Sequence, residues 1–353
     1  MTTNIPIFDG HNDVLLRLYK SASSDVVSDF LAGEEHGHID LKKARAGSLV
    51  GGFFAMYSPS PNFGSAMRQM TGGQYALPLP PPLPLEEARK SVTGELAILM
   101  RIERASQGSV AICKTAAEIR SAIERETLAV VLHLEGCEAI DGDLTFLELL
   151  YAAGLRSLGP VWSRNNIFGH GVPFQFPAGP DLGDGLTTAG EKLVSACNEM
   201  RIVVDLSHIT EKGFWDVARL SKAPLVATHS NAHALCPSPR NLTDRQLAAI
   251  RDTQGMVGLN FATCFLRPDG SMRPDTDVEL MVDQIDYLLE KLGEDHVGLG
   301  SDFDGCTLPA PIKDVTGVPA LFEALRQHGY DAPLLNKLAS GNWLACLDRS
   351  LGD

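Results

Sequence analysis

The sequence predicts an α/β fold, a (β/α)8 TIM-type barrel, and three observations favour it. Short apolar, β-branched runs alternate with longer segments of helical period along the whole chain. The runs number eight, and side chains of the metal-ligand type follow the ends of several of them. Strands and helices in strict succession produce parallel βαβ units, and barrel enzymes build their sites at the carboxyl ends of the strands. A doubly wound open sheet is the alternative, because a strand count made from sequence easily errs by one or two.

The predicted strands are the short apolar runs at residues 5–9, 49–57, 129–134, 155–161, 202–206, 224–228, 255–261 and 296–301. The predicted helices lie between them, near residues 84–106, 144–153, 187–200, 211–220, 243–253, 277–292 and 316–327. No linker interrupts this alternation in a way that would separate two domains. We therefore expect residues 1–353 to form a single barrel domain.

Two segments between predicted elements are long enough to shape a site. The first, at about 58–84, contains a proline-rich stretch that should be stiff and partly polyproline-like. The second, at 162–186, contains several glycines and prolines. They follow the second and fourth strands, on the face where barrel loops carry specificity. We expect the second loop to cover the mouth of the site, whereas the first either walls the substrate pocket or forms a surface or oligomer contact.

Composition excludes several classes of protein. With 44% hydrophobic and 21% charged residues, the chain is that of a globular protein. A net charge of −14 argues against a nucleic-acid partner, because phosphate backbones are bound by clustered Lys and Arg. The seven cysteines are scattered without a C-x-x-C pair, which excludes a disulfide framework and a thiolate zinc site. The N-terminus lacks a signal-peptide pattern, and no apolar run approaches the ~20 residues that span a bilayer, so we expect a cytoplasmic protein.

Histidine and carboxylate side chains follow five of the predicted strands. His11 and Asp13 come first, two positions apart, and because side chains of an extended segment alternate with a period of two, both can hold one cation. The full set is His11, Asp13, Glu135, His208, His229 and Asp302. A lone buried histidine is more often a core residue than a ligand. Around one cavity, however, these donors exceed what a single zinc with an open position can use, and two metals sharing a bridging carboxylate account for the surplus.

Six motifs carry a more specific signal. They are Asp9-Gly10-His11-Asn12-Asp13, Glu135-Gly136, Asp205-Leu206-Ser207-His208, Thr228-His229-Ser230, Arg240-Asn241 and Gly300-Ser301-Asp302-Phe303-Asp304-Gly305. In order and type they resemble the membrane (renal) dipeptidase family of zinc peptidases, which belongs to the amidohydrolase-like barrels. The resemblance extends over essentially the whole chain.

The resemblance implies two zinc ions per chain. In that family, the residues that match His11 and Asp13 hold the first metal. Those that match His208 and His229 hold the second, and the match to Glu135 bridges both. A hydroxide between two zincs is a nucleophile at neutral pH, because the metals lower the pKa of bound water toward ~7.

The resemblance also assigns an acid/base residue and a substrate-binding residue. The family's acid/base aspartate falls on Asp302, which would accept the proton of the attacking water and return it to the leaving amine. Its substrate-carboxylate arginine falls on Arg240, whose planar fork matches a terminal carboxylate and would restrict substrates to short peptides.

The chain departs from the family at the end of the fourth strand. Better-known members carry a histidine there that reaches the substrate near the scissile carbonyl, and Trp162 takes its place here. An indole N–H is a neutral donor that cannot titrate as imidazole does. His170, further along the same loop, is a candidate to fold back and substitute for it. We expect both residues to bear on substrate binding.

Three functions are compatible with these observations. The first is a dizinc dipeptidase that hydrolyses the amide bond of L-Xaa-L-Xaa or L-Xaa-D-Xaa dipeptides. The second is the same two-metal centre acting on another small amide, lactam or ester. The third is a metal-binding barrel without catalysis, against which the complete set of candidate residues argues. The expected partner is a small dipeptide, with no nucleic acid and no membrane, and a homodimer is left open.

Overall fold

Eight parallel strands form a barrel in the computed structural model, which describes residues 5–61, 63–67 and 69–352. In chain order the strands are Ile7–Asn12, Leu49–Tyr57, Leu128–Glu135, Leu155–Gly159, Val203–Val204, Val226–Ala227, Met256–Leu259 and Val297–Leu299. Around the barrel they follow the order fifth, fourth, third, second, first, eighth, seventh, sixth. A bridge between Asp205 and Val226 joins the fifth and sixth strands. The predicted barrel is confirmed.

Helices surround the barrel, and all seven that the sequence predicts are present. The α-helices are Val14–Lys20, Val26–Ala32, Leu41–Ala46, Phe63–Met67, Leu85–Ala105, Ala116–Glu124, Thr145–Ala153, Thr188–Met200, Glu211–Leu220, Asp244–Asp252, Thr263–Leu266, Glu279–Leu292, Val318–Gln327, Ala332–Asn336 and Asn342–Leu351. A 3-10 turn, Val315–Gly317, and a π-helical turn, Lys337–Gly341, complete the set. The helices that the sequence did not predict span ten residues or fewer.

The third strand illustrates how the barrel separates core from site. Leu128, Val130, Leu132 and Leu134 pack outward into the main core, beneath the helices. Ala129 and Val131 pack into a second cluster with Phe8 and Trp343, inside the barrel. Because strand side chains alternate, Glu135 continues this inward row at the carboxyl end of the strand. The barrel interior therefore changes from apolar to polar toward the end where the site forms.

The last five predicted strands end one or two residues earlier than expected, and the fourth and the seventh show why. The fourth was predicted to reach residue 161 but ends at Gly159, since Pro160 follows and has no backbone N–H for the ladder. The seventh was predicted to reach residue 261 but ends at Leu259. The next residue, Asn260, turns the chain by accepting a hydrogen bond from the Ala262 N–H at 2.6 Å.

The two long loops contact each other. Tyr75–Ala76 and Gln175–Phe176 form a two-stranded antiparallel sheet that joins them. A further short strand, Val110–Ile112, pairs with the start of the third barrel strand. Residues 62 and 68 of the first loop, and residues 1–4 and 353 of the expected domain, lie outside the described residues. No helix in the described part of the chain combines the length and apolar character needed to cross a bilayer.

Candidate metal centre and substrate cavity

The residues predicted as metal ligands lie together at the carboxyl end of the barrel. Each is at the end of a strand or within a few residues beyond it, which is why side chains far apart in sequence meet around the barrel axis. We refer to the following five as the donor cluster: His11, Asp13, Glu135, His208 and His229. All five are buried, none more than 6% exposed.

Glu135 occupies the centre of the donor cluster. Its Oε1 lies 3.0 Å from His208 Nε2, 3.4 Å from His229 Nε2 and 3.7 Å from His11 Nε2. Asp13 Oδ2 lies 3.7 Å from the same His11 nitrogen. The Nε2 atoms of His208 and His229 are 3.1 Å apart. One carboxylate oxygen within reach of three imidazoles suits a ligand that two cations share.

His11 has unsatisfied bonding capacity. Both of its ring nitrogens are buried without a hydrogen-bond partner in the described part of the chain. Burial alone would lower the pKa of His11, but the Glu135 and Asp13 carboxylates outweigh it and raise that pKa to about 10. The site therefore favours positive charge. Imidazole and carboxylate donors that converge on such a point suit zinc or a similar divalent cation.

Hydrogen bonds determine which nitrogen of His229 faces the donor cluster. The Thr228 hydroxyl donates to Asp205 Oδ2 at 2.6 Å, because a carboxylate only accepts. The hydroxyl has then used its one proton, so His229 Nδ1, 2.8 Å from Thr228 Oγ1, must donate to it. This leaves His229 Nε2 with a free lone pair on the Glu135 side, the tautomer that a metal ligand needs.

Asp302 lies beside the donor cluster. Its Oδ2 accepts a hydrogen bond from Asn260 Nδ2 at 3.1 Å, and its backbone N–H donates to the His11 carbonyl oxygen at 3.0 Å. Burial, followed by the Asp13 carboxylate, raises the pKa of Asp302 to about 7. Gly305 leaves room for both carboxylates, because a Cβ there would lie 2.0 Å from Asp13 Oδ2 and 2.5 Å from Asp302 Oδ1. A carboxyl group that exchanges its proton near neutral pH suits general acid and base catalysis.

A cavity of about 250 Å³ opens onto these residues, with Asp13, Glu135, His208 and Asp302 in its lining. Four rings also line it, and we call them the aromatic wall: Tyr57, Trp162, Phe174 and Phe265. In that order, successive ring centroids are 5.1, 5.7 and 6.1 Å apart. An apolar lining with a few convergent polar groups suits a small ligand that has both apolar and polar groups.

Arg240 is buried behind the cavity lining. Its Nη2 donates to the His229 carbonyl oxygen at 3.1 Å, and its Cζ lies 5.3 Å from the centroid of the Phe265 ring. Burial lowers the pKa of the guanidinium, while the Asp302 and Glu135 charges oppose that effect. Its Nε has no hydrogen-bond partner in the described part of the chain. Arg240 thus keeps an unused donor close to the aromatic wall.

Trp162 and His170, which the sequence analysis linked to the missing family histidine, lie in different places in the structure. Trp162 lies in the cavity lining, its ring centroid 5.6 Å from that of His208. His170 is absent from the described cavity-lining residues, and its Nδ1 lies 3.0 Å from the Gly185 carbonyl oxygen. The expectation that His170 folds back toward the substrate is corrected, because its ring pairs with the backbone of its own loop.

Sequence reasoning missed several residues around the cavity. Asn260 directly follows the seventh strand, so the strand-end rule that found the donor cluster could have found it. Arg164 and Glu138 form a buried ion pair behind the aromatic wall. Their separation of 26 positions gives no local pattern, and only the fold brings them together.

Comparison with known proteins identifies close relatives. The family model described as membrane dipeptidase, peptidase family M19, matches residues 1–349. The crystal structure of dipeptidase AC, a metallopeptidase of family M19, is 54% identical with a TM-score of 0.96, and the match covers 99% of this chain and 100% of that one. A metallopeptidase from Rhodobacter sphaeroides, liganded with a phosphinate mimic of L-Ala-D-Ala, is 52% identical with the same TM-score and coverage. The uncharacterized protein of the pqqA 5′ region of Klebsiella pneumoniae is 51% identical over 253 residues, 72% of this chain and 93% of that protein.

Proposed function

The chain belongs to the membrane dipeptidase family of metallopeptidases, and from this premise we propose that it is a dizinc dipeptidase acting on L-Xaa-L-Xaa and L-Xaa-D-Xaa dipeptides. The observation that carries the proposal is Glu135, whose Oε1 lies within 3.7 Å of three imidazoles, one of which, His11, has no hydrogen-bond partner among the described residues. The phosphinate dipeptide mimic bound by the relative from Rhodobacter sphaeroides supports the substrate class.

The donor cluster would hold the two cations with Glu135 shared between them. His11 and Asp13 would complete the first site, and His208 and His229 the second. Divalent cations bound there supply Lewis acidity, which lowers the pKa of a water molecule and polarises the scissile carbonyl. Mixed histidine and carboxylate ligation favours zinc, although cobalt or manganese can occupy such a site.

Asp302 would transfer protons during the reaction, and Arg240 would bind the substrate. Asp302 accepts the proton of the attacking water on its carboxylate and passes it to the nitrogen of the leaving amine. Arg240 binds the C-terminal carboxylate of the dipeptide through donors that its contact with the His229 carbonyl leaves free. The aromatic wall excludes water around the substrate and contacts its side chains.

A second candidate is the same centre acting on another small amide, lactam or ester. The position of Trp162 in the cavity lining favours it, because an indole replaces the titratable imidazole that the family resemblance places near the scissile carbonyl. Such a replacement changes which carbonyl compound fits the cavity while leaving the donor cluster intact.

The test combines metal analysis with a substrate panel. Elemental analysis of purified protein should give two zinc ions per chain, and chelation should abolish turnover that zinc restores. The panel pairs one L-residue with a series of L- and D-residues at the second position, alongside esters and lactams. Turnover of dipeptides of both series is expected. Turnover of an ester or lactam with none of any dipeptide would establish the second candidate instead.

A further inference from the structure

Arg164 is an arginine with no exposed surface. Its Nε lies 3.1 Å from Oε1 of the equally buried Glu138. Its Nη2 donates to the Ser58 carbonyl oxygen at 3.0 Å, and its Nη1 donates to the Ser60 hydroxyl at 2.5 Å. All three guanidinium nitrogens are therefore engaged. A buried ion pair often stabilises a fold no better than an apolar pair of similar volume, so the arrangement is not in itself evidence of a stabilising role.

The partners of Arg164 lie in three different segments. Ser58 and Ser60 belong to the first long loop, Arg164 to the second, and Glu138 follows the end of the third strand. One guanidinium thus joins both loops of the active face to the barrel. The planar fork of arginine can satisfy three acceptors at once, which the single ammonium of lysine cannot do in the same geometry.

The same guanidinium lies directly behind the aromatic wall. Its Cζ is 5.8 Å from the centroid of Tyr57 and 5.6 Å from that of Trp162, both of which line the cavity. The backbone N–H of Arg164 donates to the Trp162 carbonyl oxygen at 2.7 Å. Tyr57 immediately precedes Ser58, whose carbonyl Arg164 holds. The position of both rings is therefore coupled to that of the guanidinium, which itself is not among the described lining residues.

We propose that Arg164, with Glu138 as its counter-charge, is a positioning residue that holds Tyr57 and Trp162 in place to select the substrate side chain. The inference rests on the proposed function and deepens it. Arg164 acts through the two rings and not on the reacting atoms. Its loss should weaken the binding of bulky apolar side chains and leave the donor cluster and the rate of bond cleavage intact.

Arg164→Lys provides the first test, with metal-loaded enzyme. KM should rise about tenfold for dipeptides with Leu or Phe side chains, less than the ~10² that misplaced reacting groups cost. It should change less than about twofold for Gly-Gly, because no side chain then contacts the wall. The kcat and the zinc content should remain those of the parent. Hydrogen exchange should increase at residues 57–61 and 162–165 together.

Arg164→Met combined with Glu138→Leu provides the second test. This double variant removes both charges, and an apolar replacement of a buried pair commonly preserves stability, so the chain should fold. It should reproduce the selective rise in KM. Arg89→Lys is the matched control, because Arg89 pairs with Asp141 in the segment after the same strand but has a half-buried side chain. That control should leave KM and hydrogen exchange unchanged.

Two outcomes would overturn the inference. One is an unchanged preference for Leu and Phe over Gly in the folded double variant. The other is an equal loss of kcat for all substrates together with loss of zinc, which indicates a merely structural role. Failure of the parent enzyme to hydrolyse any dipeptide is a separate result that would refute the proposed function, and hydrogen exchange of the two loops would still test whether Arg164 holds them.

Discussion

The donor cluster and the aromatic wall line one cavity but are built differently. The donor cluster lies at strand ends, and short hydrogen bonds orient two of its histidines, one between His208 and Ser163 and one between His229 and Thr228. Three of the four rings of the aromatic wall come instead from loop segments and a four-residue helix, and they contact one another mainly through ring faces and edges. The barrel fixes the chemistry, whereas the loops fix the shape of the space above it.

This difference predicts two kinds of variant. The donor cluster would hold the metals, so a change there should lower the metal content and kcat together, whereas a change of Asp302 should lower kcat with metal and substrate still bound. The aromatic wall shapes the space for the substrate side chains, so a change there should alter KM and the order of substrate preference. A variant of the donor region that changes only KM, or a variant of the wall that changes only kcat, would break the distinction.

The largest effect is expected for Asp302→Asn. Asparagine tolerates the left-handed backbone of this position, φ 59°, and can still accept the hydrogen bond from Asn260, so the fold should be retained. It cannot take up a proton, and kcat should fall by at least ~10², the scale of acid/base loss. Kinetics on protein shown to contain two zinc ions per chain would measure this. A variant with full kcat would refute the role of Asp302.

Asp304→Asn is the matched control for that experiment. Asp304 lies two residues further along the same turn and also contributes to the cavity lining. Its oxygens, however, face the His38 backbone N–H at 2.7 Å and Arg17 Nε at 3.0 Å. If kcat depends on proton transfer by Asp302, this second variant should lose less than about tenfold. An equal loss of kcat in the two variants would indicate that the turn contributes negative charge in general and not proton transfer by Asp302.

Arg240→Ala should give the next largest effect. It changes a residue that contacts both the donor cluster and the aromatic wall. Arg240 donates to the His229 carbonyl behind the donor cluster and packs against Phe265 of the wall. Loss of a charge-assisted bond to the substrate carboxylate should raise KM about 10- to 100-fold. Dipeptide amides lack that carboxylate and should be affected much less. Steady-state kinetics on matched acid and amide substrates would measure this, and an equal rise in both would exclude a carboxylate contact.

The same contrast explains what the sequence could predict. His11, Glu135 and the other donors follow apolar runs that read as strands, so the barrel and the meeting point of these side chains were both predictable. Of the aromatic wall, Trp162 was named from the sequence, whereas Phe174 and Phe265 were not, because they follow no periodic pattern and reach the cavity only through the path of the chain after their strands. His170 shows the limit of arguing by chemical type alone: a titratable ring in the right loop contacts the Gly185 carbonyl instead.

The smallest effect is expected from Glu95→Gln, which concerns how the wall is attached to a helix. Glu95, in the helix Leu85–Ala105, has no exposed surface, and its Oε2 accepts a hydrogen bond from the Tyr57 backbone N–H at 2.8 Å. Burial raises the pKa of this carboxyl well above its ordinary value. The folded chain therefore keeps a proton that the unfolded chain releases above pH ~4.3.

The contribution of Glu95 to stability is complete below that pH and is lost as pH rises toward the raised pKa of the folded state. Glutamine cannot ionise and can still accept the hydrogen bond from the Tyr57 N–H. The variant should therefore not lose stability as the pH rises. Thermal unfolding of the zinc-loaded proteins should show a smaller difference at pH 5 than at pH 8, where the variant should unfold roughly 2 °C or more above the parent. The substrate preference should be unchanged, because Tyr57 keeps its backbone anchor. A constant difference between the two proteins at all pH values would mean that Glu95 is ionised in the folded chain, and that the wall is held by a charge and not by a neutral acid.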